Sequence, residues 1–292
     1  MPRDLFQQQP QDKSPPSPSA PTMFLSESPN NMSSGPSSPD PANPEKGTTE
    51  QQRQFVIVPP DQWFQAHPRS SSLLPANLHP YVRPLTVSDV ESCVALENAA
   101  FEDPNERASR EKFIYRLTKC GELCLGLFTT VTPNSNPPFS SPTLASARVI
   151  ETGRPSGDVS VLLAHIIAVK TTSHVVTDES MDLPRDWDAV NPTPSPLGHQ
   201  ERGRTIVLHS VAVAPGFQGK GLGQVLMRAY FGLMNGAGIA ERLALIAHDH
   251  KVSWYEKLGF TNNGKSAAQF GGGGWYDLVY DLQPAEKRAR YG

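Results

Sequence analysis

A strong charge of either sign is missing from this sequence. Its 292 residues carry 26 Lys and Arg against 29 Asp and Glu, a net charge of −3. So even a balance gives no electrostatic pull toward nucleic acid. Long apolar runs are missing as well. None approaches the roughly 18 residues of a membrane-spanning helix, so no membrane is expected as a partner. The opening stretch MPRDLFQQQPQDKS has no apolar core of the kind a secretory leader needs. Cysteine is scarce. Cys93, Cys120 and Cys124 are odd in number, and the last two have no matching His or Cys pair elsewhere. That argues against a disulfide scaffold and against a zinc or other metal site. It favours a reducing compartment, cytosolic or nuclear, and a cytoplasmic location is expected.

Proline is plentiful but uneven. There are 29 Pro and 22 Gly, and more than half of the proline falls before Tyr81. Residues 1–54 are rich in Pro, Ser and Gln, and such a stretch cannot bury enough apolar surface to offset its ordering entropy. They read as a disordered tail. Residues 55–80 read as a linker carrying a short apolar island, Phe55 to Val58. Residues 81–283 form one domain of about 200 residues, long enough for a real core. Residues 284–292 are a short basic C-terminal tail. Within the domain, proline-bearing insertions fall at about 131–158 and 184–196.

Apolar periodicity predicts helices over Asp89–Phe101, from Ser109 to about Lys119, over Gly221–Asn235 and over Val252–Leu258. It predicts strands over Leu123–Phe128, Leu144–Ile150, Val161–Val169, Thr205–Val213, Leu243–Ala247 and Trp275–Leu282. Val175–Arg204 is long, polar and proline-containing, a loop of a length that is usually functional or disordered. Helices first, then a meander, then strand–helix–strand–helix–strand, fits an α/β fold. Its central sheet should be mixed and mostly antiparallel, flanked by helices, rather than doubly wound.

The segment from Leu208 to Gly223 carries the most chemistry. A β-branched strand runs into a Gly-rich turn that opens a helix. Backbone N–H groups at such a turn are unpaired, and the helix dipole adds partial positive charge, which suits a pyrophosphate. Glycines at 219, 221 and 223 let the backbone approach phosphates without Cβ clashes. No register supplies the P-loop G-x4-G-K-[ST], and Gln224 stands where a Rossmann fingerprint needs its third glycine. Gln218-x-x-Gly221-x-Gly223 instead matches [QR]-x-x-G-x-[GA], the pyrophosphate loop of the GNAT acetyltransferase superfamily. Downstream, Trp254-Tyr255-Glu256-Lys257-Leu258-Gly259-Phe260 follows a strand and a loop, as in that superfamily.

Arg83-Pro84-Leu85-Thr86, Leu96-Glu97-Asn98-Ala99-Ala100-Phe101 and Glu122-Leu123-Cys124-Leu125-Gly126-Leu127-Phe128 extend the likeness. Over about residues 69–282 the chain resembles the arylalkylamine (serotonin) N-acetyltransferase family within GNAT. The resemblance implies the GNAT acyl-CoA N-acyltransferase fold, a sheet split by a V-shaped opening where acetyl-CoA enters, and direct attack of an amine on the thioester. It implies that backbone at Val211, Ala212 and Val213 holds the pantetheine arm. It implies that Gln218, Gly219, Lys220, Gly221, Leu222, Gly223 and Gln224 hold the pyrophosphate. Tyr255 would stand beside the CoA sulfur as the acid for the leaving thiolate. Phe101 and Ile246 would line the acceptor pocket.

Vertebrate members carry H-x-H-x-L-A-V; here the strand has Val207 at the first position and His209 at the second. An amine with a pKa of about 10 must lose its proton before attack, and His209, unperturbed near about 6.5, can accept it through water. The bland alternative is a satisfied core histidine. His248 and His250 are substitutes or loop residues. Glu97 either holds a cationic amine or is a solvated helix charge. Upstream, Pro68 to Asn77 resembles the phosphorylated segment bound by a phosphopeptide-reading adaptor, with Ser72 as the phosphosite, though Pro75 stands three residues on rather than two.

The resemblance implies an N-acetyltransferase that uses acetyl-CoA as co-substrate and a small-molecule amine, an arylalkylamine or polyamine, as acceptor. A protein or peptide amine acetyltransferase is the enzymatic alternative. A non-catalytic acyl-CoA-binding module is the third reading.

Overall fold

The computed structural model describes residues 78, 80–132, 139–149 and 157–283. The expected tail over 1–54, nearly all of the linker over 55–80 with Ser72, and the tail over 284–292 lie outside the described residues. In chain order the elements are β1 (Pro80–Pro84), α1 (Val90–Ala100), α2 (Arg110–Cys120), β2 (Leu125–Val131), β3 (Arg148–Val149), β4 (Val159–Thr171), α3 (Asp178–Met181), β5 (Thr205–Val213), α4 (Leu222–Ala237), β6 (Arg242–Ala247), α5 (Asp249–Glu256), β7 (Thr261–Lys265) and β8 (Tyr276–Asp281).

Among the described residues the strands form one mixed sheet, ordered β1-β2-β4-β5-β6-β8-β7, with β3 paired to part of β4. Every adjacent pair is antiparallel except β5 and β6. The longest strand, β4, is apolar almost throughout, and it is buried along nearly its whole length because α1, α2 and α4 all pack against it. A strand covered on both faces loses the alternating pattern and reads as one hydrophobic run. β1 begins and ends in proline, which an edge strand tolerates because one side of it donates no ladder hydrogen bond.

Local signals explain where the helices start and stop. Ser109 caps α2 by accepting the Lys112 N–H at 3.2 Å. Before α1, the Asp89 carboxylate accepts both arms of the Arg83 guanidinium at 2.8 Å and the Thr86 N–H at 2.9 Å. Gly238, left-handed at φ 63°, closes α4 through its N–H to the Met234 carbonyl. All three cysteines are buried and unpaired. Among the described residues no helix is long and apolar enough to cross a membrane, and no cluster of three or more His, Cys, Asp or Glu could hold a metal ion.

Some expectations need correction. The strand expected over Leu144–Ile150 is reduced to Arg148–Val149, Ile150 itself lying outside the described residues. Its start is instead a pair of turns, with Leu144 N–H to Ser141 and Ala147 N–H to Leu144. Thr143 Oγ1 bonds the Leu162 carbonyl at 2.6 Å and so pins those turns to β4. Side-chain hydroxyls here offer the backbone an alternative to a ladder. β7, TNNGK, carries no apolar residue and gives no periodic signal; it forms because β8 offers an open edge. The helix expected over Val252–Leu258 begins earlier, at Asp249 after His248. The Val175–Arg204 stretch contains α3 and is tied down at several points.

The Arg83–Asp89 pair gives a pH signature. Burial pushes the Asp89 carboxyl up, but the Arg83 guanidinium and the Thr86 N–H outweigh it and hold it below the usual carboxylate range. A lowered folded value contributes stability above the unfolded pKa, and that contribution is lost as pH falls through the folded value. Asp89→Asn should therefore cost roughly 1 kcal/mol at neutral pH and less under acid. Urea unfolding of both proteins at about pH 7 and about pH 3 checks this; a difference that does not shrink at the lower pH contradicts it.

Candidate active site

The sheet opens at its one parallel junction. β5 and β6 pair only at Thr205 with Arg242, Ile206 with Leu243 and Val207 with Ala244. Beyond that point β5 runs on to Val213 against β4, and β6 runs on to Ala247 against β8. The half of β5 that holds Val211, Ala212 and Val213 therefore presents N–H and C=O groups on its β6 side that no strand takes up. Such a rim is suited to bonding an extended ligand by main chain.

The end of β5 feeds straight into the Gly-rich turn. Ala214 donates its N–H to the Leu163 carbonyl at 2.8 Å, and Pro215–Phe217 make one 3-10 turn. Gln218 Nε2 donates back to the Val213 carbonyl at 3.0 Å, which folds the turn against the strand end. Gly219 and Gly221 are left-handed, at φ 71° and 86°. Gly221 is the N-terminal cap of the 16-residue α4 and supplies no side chain to its open amides, and no acidic residue stands in the first turn. The amides at Leu222, Gly223 and Gln224 are thus uncapped, at the positive end of a long dipole. Lys220 holds its ammonium 5.4 Å from the Phe217 ring centroid. At Gly223 a Cβ would meet the Trp254 ring at 3.4 Å, so glycine lets α4 begin close against α5.

His209 occupies a bulge. Ile167 pairs with Ser210 and Ala168 with Leu208, so His209 is the extra residue on β5. A bulge takes one residue out of the ladder and re-aims its side chain. Both ring nitrogens of His209 are shut off from solvent, and neither has a hydrogen-bond partner among the described residues, although the residue as a whole is only half-buried. Desolvation holds the imidazole well below its usual pKa, and the cations Arg116 and Lys112 act in the same direction. The ring is therefore neutral at neutral pH, with a lone pair free. An imidazole this weakly basic can pass a proton on but does not keep it.

Tyr255 lies on α5, which follows the splayed end of β6 after His248. Trp254 and Phe260 pack edge-on against its ring at 4.8 and 5.5 Å. Burial pushes its phenol up, which keeps the proton on through the alkaline range. Ile246 is in the splayed half of β6, paired with Asp277 on β8. Phe101 ends α1, its carbonyl held by Arg107 Nε at 2.9 Å. His248 is bonded to Glu106 at 2.7 Å and stacks on Trp275 at 3.9 Å. The structure also places Glu97 inside. It is 1% exposed and accepts from Ser210 Oγ at 2.6 Å, the Ala108 N–H at 3.0 Å and His165 Nε2 at 3.2 Å. Burial alone would raise its pKa; those donors outweigh it and hold the carboxyl below its usual value. It is neither a solvated helix charge nor an open carboxylate.

Sequence reasoning passed over three residues of this region: Arg116, His165 and Ser210. Arg116 is 2% exposed and gives Nη2 to the Met181 carbonyl at 3.1 Å, while its Nε has no partner among the described residues. Desolvation lowers its pKa to about 10, against the opposing field of Glu97. The available signal was a polar residue standing in an apolar run, as His165 does in VSVLLAHIIAVKT.

Residues 186–260 match the model of the Acetyltransferase (GNAT) family, a span that includes β5, the Gly-rich turn, α4, β6 and α5. Over 203 residues the chain is 27% identical to serotonin N-acetyltransferase of Mesocricetus auratus, covering 69% of this chain and 77% of that protein. Among solved structures, the loading GNATL domain of CurA from Lyngbya majuscula is similar at 13% identity and a TM-score of 0.45, covering 70% of this chain and 98% of that one. The PaiA N-acetyltransferase of Thermoplasma acidophilum, solved with coenzyme A, is similar at 13% identity and a TM-score of 0.41, covering 69% and 98%.

Two glycines of α4 should respond oppositely to a side chain. Gly221→Val forces a β-branched residue into the left-handed region and should cost on the order of 1–3 kcal/mol. At Gly236, inside the last turn, a Cβ would meet nothing within 4 Å. Gly236→Ala should stabilise by about 0.4–1 kcal/mol. Thermal unfolding followed by circular dichroism checks both signs; shifts in the same direction contradict the backbone assignment.

Proposed function

We propose that this chain, a GNAT-type acetyltransferase similar to the arylalkylamine N-acetyltransferases, moves the acetyl group of acetyl-CoA directly onto a small primary amine, an arylalkylamine or polyamine. The observation that carries this reading is the parting of β5 from β6 after three residue pairs, with the uncapped start of α4 at the mouth of the gap. The donor set fits the co-substrate. The main-chain groups of Val211–Val213 that face the gap suit the amide-rich pantetheine arm, apart from the Val213 carbonyl, which Gln218 Nε2 takes. The amides and glycines of Gln218–Gln224, with Lys220, suit a pyrophosphate.

The chemistry assigned to the residues is simple to balance. The amine nitrogen bonds to the thioester carbonyl carbon, and the carbon–sulfur bond breaks. His209 takes the amine proton by way of water and releases it to solvent. Tyr255 gives its proton to the departing thiolate and is reprotonated from solvent. Desolvation leaves the imidazole uncharged with a lone pair and the phenol protonated, the starting states the two roles need, while weakening the one as a base and the other as an acid. Holding both substrates in one cleft supplies much of the rate.

A small acceptor is favoured over a peptide by the Val175–Arg204 insertion. Its Asp178 carboxylate accepts the Gln269 and Phe270 N–H groups at 2.9–3.1 Å, and its Met181 carbonyl accepts Lys112 and Arg116. Tyr115 Oη takes the His199 N–H at 2.8 Å. These contacts strap the insertion from α2 to the loop before β8, and we read it as a fixed lid over a small pocket.

Thiol release from acetyl-CoA in the presence of tryptamine, phenylethylamine, spermidine or a peptide panel tests the reading. Release with a small amine is expected; release with peptides alone overturns the acceptor class, and tight CoA binding with no release overturns catalysis. Tyr255→Phe should slow turnover roughly 10²-fold with little change in acetyl-CoA affinity. Unchanged turnover across a pH series removes Tyr255 as the acid.

A further inference from the structure

His209 is aimed by a bulge, and the residues that hold that bulge are identifiable. We propose that Ser210, Glu97 and His165 form a positioning network that fixes which residue of β5 occupies the bulge and so presents the His209 ring to the cleft. The inference rests on the reading of His209 as proton acceptor.

Ser210 is the residue that re-enters the ladder after the bulge, opposite Ile167. Its hydroxyl donates to Glu97 Oε2 at 2.6 Å, and His165 Nε2 lies 3.0 Å from Ser210 Oγ and 3.2 Å from the same carboxylate oxygen. Oε1 of Glu97 takes the Ala108 N–H at 3.0 Å, which ties the network to the segment entering α2. An ionised carboxylate only accepts, so the Ser210 hydroxyl and the His165 Nε2–H both donate. That places a proton on His165 Nε2; Nδ1 has no partner among the described residues. The network thus ties the α1–α2 connection, β4 and β5 to a single carboxylate of α1.

The consequence for register is direct. A one-residue slip in a strand exchanges its two faces. If β5 slipped at this point, Leu208 or Ser210 would take the bulge and His209 would enter the ladder. A hydroxyl pinned by a buried carboxylate opposes that slip, whereas an apolar residue at position 210 would be indifferent to it. The cost of burying Glu97 is then offset by the fixed geometry of a neighbour rather than by packing alone. The groups that bear on the His209 ring are Arg116 and Lys112 from α2, with Glu97 from α1 and His165 from β4 meeting at the adjacent Ser210.

The test is a double-mutant cycle in the full chain with acetyl-CoA and the amine the wild type uses best. Ser210→Ala should lower kcat roughly 10-fold to 100-fold and leave the KM for acetyl-CoA within about twofold. Ser210→Thr keeps the hydroxyl and should recover most of the loss. In a His209→Gln background, Ser210→Ala should cause no further loss. Losses that multiply in the double variant would overturn the proposal, because Ser210 would then act independently of His209. The His209 ring titration, followed by NMR in the same variants, reads the claim without turnover. It should move up toward an ordinary imidazole in Ser210→Ala and stay in place in Ser210→Thr; a titration unmoved in Ser210→Ala overturns the proposal. A wild type that releases no thiol with any amine would contradict the acetyl transfer itself, and the ring titration would still decide the positioning.

Discussion

The rest of the structure depends on the short parallel contact between β5 and β6. Three pairs hold the two strands together, and then each follows a different partner. A parallel pair needs a crossover, and here the crossover is α4 with its Gly-rich entrance. The same chain segment therefore makes the gap and places an uncapped helix start at its mouth. Because β4 is buried by helices from several directions, β5 cannot shift to close the gap without breaking its long ladder to β4. The opening is a property of the sheet, not of a mobile loop.

Charge inside this frame follows one pattern. Glu97 and Arg116 are both buried, and they lie in each other's field without touching. They meet different groups: Glu97 takes three donors, and Arg116 gives Nη2 to the Met181 carbonyl while its Nε has no partner among the described residues. Burying either alone would cost several kcal/mol. Their presence beside the bulge turns a stretch that could be packed with apolar residues into a polar floor under His209. The effect on that ring is measurable in principle, since α2 supplies two cations and no anion to it.

Much of this was legible in the residues, for physical reasons that differ by element. β5 matched its expected bounds, Thr205–Val213, because β-branched residues (Thr205, Ile206, Val207, Val211 and Val213) mark both of its ends and Ala214-Pro215 follows. The Gly-rich turn and α4 were legible because glycine marks left-handed positions and apolar spacing marks a helix face. β7 was not, because an edge strand of polar residues forms from its neighbour's open edge rather than from its own pattern. The bulge at His209 was not, because it reflects pairing with β4, which no local window contains. Glu97 read as either an amine-holding carboxylate or a solvated helix charge for the same reason: its three partners come from 11, 68 and 113 residues away in sequence. What a helix position faces is decided by distant strands.

The proposed transfer rests on a single claim, that the gap between β5 and β6 and the start of α4 together receive a CoA thioester. Amide hydrogen exchange with and without acetyl-CoA reads that claim residue by residue. The account predicts slowed exchange confined to two stretches, the splayed half of β5 over 208–213 and the turn over 218–224, with the β4 ladder unchanged. Protection that falls elsewhere, or none at saturating acetyl-CoA, would contradict it.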